Sequence, residues 1–404
     1  MQPTIYTYRE HQIPPEKIDP HAFYVIEKLR SAGFLAYLVG GSVRDLLLSA
    51  RPKDFDISTA AQPEEIKRLF RGNCILIGKR FRLAHVRFGK KILEVSTFRA
   101  GDIASNALVL RDNIWGSAEE DALRRDFTIN GLFYDPQTQN IIDYVDGFGD
   151  AKKKMLRTIG NPRLRFIQDP VRMIRLLKFR ARFGFEIDEE TLTALIECKA
   201  EIKKSSAPRI FEELLRMLES GHAKSFFHLL EEYGVLPLLW PKFSLALKNE
   251  KTTTDYLHAS DILTSKHFPQ LPNRALLLAC LLFPSLDRSV QQMAKKNPKI
   301  HLGHIAEKTR EQIQDFFSPF FQLSRNMSGA LTSILTHQFR LTPPLSAKNR
   351  KIRIPSDPEF SSALQFFEIR CSLDEHLLPT YTLWNDHLIK FHKHHTQELR
   401  PKKR

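Results

Sequence analysis

Apolar and polar residues change their spacing near residue 150. Before that point, short alternating runs predict β-strands at 36–39, 55–58, 84–88, 91–97, 131–134 and 141–144. Gly89-Lys90 and Pro136-Gln137-Thr138-Gln139 fall between consecutive runs and read as hairpin turns. Helical spacing is predicted over 21–32, 43–49 and 63–70, with Thr59 or Gln62 near the start of the last. Beyond residue 150 the apolar positions recur every three to four, as in Val171, Ile174, Leu177 and Ala181, or Ile210, Leu214, Leu215 and Leu218. The expected class is therefore α+β, with a small mixed sheet in front and an all-helical rear. Prolines and basic residues mix over 342–357, which predicts a linker, and the basic end 392–404, HKHHTQELRPKKR, is expected to be disordered. No internal repeat is evident.

Length and charge then narrow the class. A chain of 404 residues exceeds one ordinary core, so two to four domains are expected. The formal charge is +15, from 61 Lys and Arg against 46 Asp and Glu, and favours a polyanionic partner, nucleic acid before an anionic membrane. No 18-residue apolar run occurs and the N-terminal MQPTIYTYREHQIPPEK lacks a signal-peptide core, so the expectation is a cytoplasmic protein without membrane insertion. Cys74, Cys198, Cys280 and Cys371 are scattered, with no C-x-x-C, and imply neither zinc nor a disulfide framework. The 15 histidines show no H-E-x-x-H pattern.

The chemistry concentrates in 38–59, LVGGSVRDLLLSARPKDFDIST. If the segment around Asp54 and Asp56 is extended, the two carboxylates share one face about 7 Å apart and can hold divalent cations between them. A lone D-x-D is more often a solvated edge pair. Upstream, however, a strand ends in Gly40-Gly41 and Ser42 opens a helix, which offers free backbone N–H groups to phosphate. Arg44 adds a fork suited to phosphate oxygens, and by itself it pairs equally well with Asp45 or Asp54. Glu94, on the strand 91–97, is placed for a third acidic ligand.

GGSVRD followed by KDFDIST resembles the signature of the class II nucleotidyltransferases, the bacterial poly(A) polymerases and CCA-adding enzymes. Arg124-Arg125-Asp126-Phe127-Thr128-Ile129-Asn130 resembles the family's RRDFT-x-N block, Gly160-Asn161-Pro162 precedes the neck, and 168–175, QDPVRMIR, resembles its EDP-x-R-x-x-R block. Gln168 departs from the usual Glu. The matches cover roughly residues 11 to 220.

The resemblance implies a polymerase-beta-like catalytic head at 1–150, a helical neck with base-recognition and RNA-binding elements at 151–220, a helical body at 221–340 and an RNA-binding tail module at 341–404. It implies transfer of a nucleotide from a triphosphate to an RNA 3′ end with two Mg²⁺ ions, one held by Asp54 and Asp56. Asp126 is implied as a further catalytic carboxylate, acting on metals, ribose or triphosphate. Gly40, Gly41, Ser42, Arg44, Arg125, Asn130 and Arg175 are implied at the nucleotide. Asp169 as N-cap, with Pro170 at the first helical position and Arg172 one turn on, forms an acceptor–donor pair that admits adenine and cytosine and rejects guanine and uracil. The segment 76–86, LIGKRFRLAHV, resembles the poly(A) polymerase branch and places Lys79, Arg80 and Arg82 at RNA. The start of the chain and 358–384 resemble that branch as well. AMP addition from ATP to RNA 3′ ends is thus expected, with RNA-degradation machinery as a further partner; CCA addition to tRNA is the alternative. A non-catalytic RNA-binding protein is a third possibility, which the intact Asp54, Asp56 and Asp126 oppose.

Overall fold

The computed structural model describes residues 2–78, 82–100, 114–267, 270–297, 300–342 and 353–398. The chain divides into two compact units, Met1–Lys204 and Ser205–Arg404.

The first unit is built on an eight-stranded sheet. Its strands are β1 (Thr4–Tyr6), β2 (Ala36–Val39), β3 (Asp56–Thr59), β4 (Cys74–Ile77), β5 (Leu83–Phe88), β6 (Lys91–Thr97), β9 (Leu132–Asp135) and β10 (Asn140–Asp143). The intervening β7 (Arg99–Ala100) and β8 (Ile114–Trp115) pair with each other, as do β11 (Met155–Leu156) and β12 (Glu186–Ile187). The spatial order is β1-β10-β9-β2-β3-β6-β5-β4. All neighbours are antiparallel except β3 and β6, which run parallel and therefore need the crossover made by helix Pro63–Phe70 with β4 and β5. One sheet face packs on helices Pro20–Ser31 and Pro63–Phe70, burying Val25, Ile26, Leu29, Leu38, Ile57, Ile66, Val86 and Val95 in one cluster. Apolar alternation on β3 and β6 thereby fixes which side chains face away from the core.

The six strands expected from alternation are present, within a residue of their expected ends. Edge strands β1 and β4 were not expected. β1 has three residues and exists through its ladder with β10, while β4 is an unbroken apolar run, CILI, without alternation.

The second unit is helical, including Ala207–Leu218, Ala223–Glu232, Lys251–His267, Arg274–Lys296, Leu302–Phe317, Arg325–Leu341 and Phe360–Leu373. Trp240 is fully buried among Phe211, Phe243, Phe316, Phe317 and Phe321, and its indole N–H donates to the Phe316 carbonyl at 2.7 Å. The helix Leu378–Glu398 runs through the first half of the segment expected to be disordered. Between Pro379 and Pro401 the sequence has neither proline nor glycine, so nothing breaks the helix earlier. Of the linker expected at 342–357, residues 343–352 lie outside the described residues. The four cysteines are buried and free.

Candidate active site

The turn after β2 and the D-x-D segment meet because β2 and β3 are antiparallel neighbours with Val39 opposite Asp56. Gly40 sits at φ 65°, ψ −124°, and helix Gly41–Leu47 follows. A side chain at Gly40 would be strained by its φ and would bring a Cβ to 3.0 Å from Arg125 Nη1, so glycine is required on two counts. The strand β3 starts at Asp56, with exposed Asp54 two residues before it. Ile57 pairs with Val95 of β6 and both are buried in the core, so Asp56 and Glu94, one position earlier on each parallel strand, share the opposite face. Asp56 keeps solvent access as a residue, but the protein packed around its carboxyl desolvates it; that, then the negative charge of Glu94, pushes the carboxyl up to about 6, while Arg125 pulls it down and Asp54 adds to the rise. His85 of β5 lies opposite Glu94, with Nε2 at 3.6 Å from its carboxylate.

These three carboxylates are hard oxygen donors that repel one another, a donor set suited to Mg²⁺ or a similar divalent cation. Among the described residues no three His, Cys, Asp or Glu side chains close around a common point. Asp56 and Glu94 thus share one face of the sheet, with Asp54 two residues ahead of β3, and the three do not form a finished cage.

Arg125 reaches this face from behind the glycine turn. Its Nη2 donates to Asp121 Oδ2 at 2.8 Å and to Ser58 Oγ at 3.3 Å, and its guanidinium lies over Phe133. Asp121, fully buried, also accepts from Arg124 Nε at 2.8 Å. Burial opposes its charge, but the two arginines outweigh that and hold its carboxyl below the usual range.

Three expected site residues take other places. Arg44 is 4% exposed and packs against the rings of both Phe179 and Phe183, at 4.9 and 4.8 Å from their centroids; Nε and Nη2 donate to Asp45 Oδ1 and Nη1 to Asn130 Oδ1 at 2.6 Å. Its fork therefore stands behind the glycine turn, held by two aromatic rings and two acceptors inside the fold. The Ser42 hydroxyl is buried and turned back to donate to the Val39 carbonyl at 3.1 Å. Asp126 does not join Asp54 and Asp56. Its Oδ1 accepts from Asn130 Nδ2 and the Phe127 N–H, and its Oδ2 meets Arg175 Nη2 at 2.8 Å. Burial opposes the Asp126 charge, yet Arg175, Asn130 and Arg172 hold the carboxyl below its ordinary range. Asn130 and Asp126 do meet, in a 3₁₀ turn over Thr128–Asn130.

The neck corrects the expected N-cap. Asp169 (φ −145°, ψ 86°) ends helix Pro162–Gln168, and Pro170, already helical at φ −61°, ψ −19°, takes the N-cap position of helix Val171–Phe183. Asp169 and Arg172 remain one turn apart, with the Arg172 N–H donating to the Asp169 carbonyl at 3.0 Å. Arg172 Nη2 donates to the Arg124 carbonyl at 3.1 Å, and buried Arg165 donates to the Leu123 and Arg125 carbonyls at 3.2 and 2.6 Å. The neck arginines thereby grip the backbone of the segment that carries Arg125. Burial pushes Arg165 down to about 10, helped by neighbouring Arg172. Gln168 is buried, and its Oε1 accepts from Arg165 Nη1 at 3.4 Å.

Lys79 and Arg80 lie outside the described residues. Arg82 is exposed and pairs with Glu64. Asp45, Asp121, Arg165 and Arg182 were not singled out by sequence. Asp45 carried a local signal as the neighbour of Arg44, and Asp121 another, three and four residues before Arg124 and Arg125.

Residues 36–157 match the family model described as Poly A polymerase head domain, and residues 184–247 match the one described as Probable RNA and SrmB-binding site of polymerase A. The chain is 39% identical over 313 residues to Poly(A) polymerase I of Escherichia coli O157:H7, covering 73% of this chain and 67% of that protein. It is 33% identical over 388 residues to Poly(A) polymerase I of Salmonella typhi, covering 92% and 82%. A CCA-adding enzyme of Staphylococcus saprophyticus is 37% identical over 214 residues, 52% of each chain. In fold, the chain resembles the Bacillus stearothermophilus CCA-adding enzyme in complex with CTP at a TM-score of 0.63 and 23% identity, covering 92% of this chain and 83% of that one. The chain belongs to the class II nucleotidyltransferase family of the bacterial poly(A) polymerases and CCA-adding enzymes.

Proposed function

We propose that the chain is a poly(A) polymerase that adds AMP from ATP to RNA 3′ ends and releases pyrophosphate. One observation carries this over CCA addition: similarity to the Salmonella poly(A) polymerase extends over 92% of the chain, whereas the staphylococcal CCA-adding enzyme aligns with 52%. Asp54 and Asp56, with Glu94 beside Asp56, would hold divalent cations, Mg²⁺ foremost, which supply charge neutralisation at the α-phosphate and a more acidic 3′-hydroxyl. Arg125, beside Asp56 and against Gly40, is the guanidinium placed to meet the triphosphate. Arg172 and Asp169 would read the base, with Arg172 donating to a ring nitrogen and Asp169 accepting from an exocyclic amine. The +15 formal charge suits phosphate contacts to RNA of any sequence, with Lys79, Arg80 and Arg82 as candidates. Among the described residues no helix is long and apolar enough to cross a membrane, and we place the enzyme in the cytoplasm. The proposal includes RNA-degradation machinery as a partner.

The test is extension of an unstructured RNA and of a tRNA lacking its 3′ CCA, with Mg²⁺ and each triphosphate singly and mixed, beside an Asp54→Ala/Asp56→Ala control. Long ladders with ATP alone on the unstructured RNA establish the reading. Addition that requires CTP and stops after three nucleotides on the tRNA replaces it with CCA addition. RNA binding without incorporation removes catalysis altogether.

A further inference from the structure

Six side chains form a circuit that leaves helix Val171–Phe183 at one point and returns to it at another. Arg175 Nη2 meets Asp126 Oδ2 at 2.8 Å, Asp126 Oδ1 accepts from Asn130 Nδ2 at 3.0 Å, and Asn130 Oδ1 accepts from Arg44 Nη1 at 2.6 Å. Arg44 Nη2 donates to Asp45 Oδ1 at 2.7 Å, and Asp45 Oδ2 accepts from Arg182 Nη2 at 3.2 Å. Arg175 and Arg182 stand seven residues apart, two turns, on one face of that helix. The same helix also lays Phe179 and Phe183 against the Arg44 guanidinium. Asp45 and Asp126 are each 6% exposed in their side chains while Arg175 and Arg182 keep 38%, so each pair has a buried carboxylate and a partly solvated guanidinium.

The circuit joins the two halves of a nucleotide site. Arg44 and Asp45 lie on helix Gly41–Leu47, which begins in the glycine turn beside Asp56; Arg172 lies one turn before Arg175 on the neck helix. We infer that Asp45 and Arg182 are positioning residues: through Arg44 they lock the neck helix to the glycine turn, so that the distance between base-reading Arg172 and the triphosphate end is set before ATP arrives. Neither residue touches the nucleotide. The benefit is preorganisation, since a site whose halves are already spaced for one nucleotide loses less freedom on binding it. The inference rests on the nucleotidyl-transfer reading and on Arg172 as a base reader.

The test uses the full chain, with KM and kcat for ATP and CTP on an unstructured RNA, and the ATP dissociation constant by calorimetry. The variants are Arg182→Gln, Arg182→Lys, Asp45→Asn and Arg172→Ala. Arg182→Gln is expected to raise the KM and dissociation constant for ATP by about three- to tenfold, with kcat changed by about twofold or less and ATP-over-CTP preference reduced. Arg182→Lys, which keeps a cation within reach of Asp45, is expected to recover a substantial part of the loss. Should Asp45→Asn fail to fold, the two Arg182 variants decide. ATP constants within about twofold of wild type in Arg182→Gln overturn the inference. If Arg172→Ala leaves base preference unchanged, the base-reading assignment fails on its own, and the circuit is judged on the ATP constants alone. A wild-type protein that extends no RNA refutes the proposed activity, while calorimetry still decides the circuit.

Discussion

Replacing Asp126 with asparagine separates two roles for that residue. A metal ligand lost from a repelling carboxylate set abolishes turnover and leaves the fold as stable as before, or more so. In the structure Asp126 instead neutralises Arg175 at 2.8 Å, binds Asn130 and the Phe127 N–H, and is 6% exposed. Asparagine keeps one acceptor oxygen but turns an NH₂ or a weaker oxygen toward the guanidinium. Breaking a buried pair costs about 3–5 kcal/mol, and the low end, about 3 kcal/mol, applies because Arg175 retains 38% exposure. At about 2–4 °C per kcal/mol for a unit of this size, Asp126→Asn is expected to lower the Tm of the first unit by about 6–12 °C at pH 7. The pH dependence carries a sign. The folded-state carboxyl lies below its ordinary value, so its stabilisation is present above the unfolded pKa and lost as pH falls through the folded one. The gap between wild type and variant in thermal melts should therefore be full at pH 7 and narrow toward pH 3. An unchanged Tm at pH 7 combined with loss of turnover refutes this account and restores Asp126 to the metals.

Asp56→Asn should have the opposite effect on stability. Its carboxyl is raised to about 6, so in metal-free protein the charged form weakens the fold as pH rises through that value. The variant should gain on the order of 1 kcal/mol at pH 8, less than the full shift because the residue keeps solvent access, while losing turnover and any Tm increase that wild type shows on addition of Mg²⁺. A variant less stable than wild type at pH 8 would count against this. Gly40→Ala should cost about 1–3 kcal/mol, from its φ of 65° and the 3.0 Å approach of Arg125, and should raise KM for ATP; an unchanged melt and KM would refute the close contact. In Gln168→Glu the new carboxylate faces Arg165, so the ATP:CTP preference should stay within about twofold of wild type in steady-state assays. A larger change would show that position 168 acts on nucleotide choice.

How much of this was legible depended on the distance over which a residue finds its partner. The alternation of 91–97 and 84–88 gave β6 and β5 because burial of Val95 and Val86 is written in period two. The D-x-D and the glycine turn were legible as neighbours since a single antiparallel pairing brings them together. For Arg44 the pairing with adjacent Asp45 was one of the readings the sequence left open, but the other groups that hold its guanidinium, Phe179, Phe183 and Asn130, lie 86 or more residues away. For the same reason the sequence left Asp126 open between metals, ribose and triphosphate: its partner Arg175 lies 49 residues on. At Asp169 a local rule lost by one residue: Asp-Pro is a good helix start, but Pro170 itself took the cap, leaving Asp169 as the joint between two helices. β4 could not be distinguished by pattern from a short buried helical segment, since CILI has no period and its pairing with β5 is what makes it a strand.

The four buried cysteines open an experimental route. Burial raises every one of their thiols, Cys371 to about 11, where on the order of one molecule in ten thousand carries the reactive thiolate at pH 7. Maleimide dyes should accordingly ignore the natural sequence and react at any cysteine placed on the surface. Lys90, in the β5–β6 turn, and Glu375, ahead of the last helix, are exposed positions in separate units. A donor and acceptor attached at Lys90→Cys and Glu375→Cys would report by energy transfer how far apart the two units stand in solution, and how that spacing responds to ATP and to RNA, without removing a single native thiol.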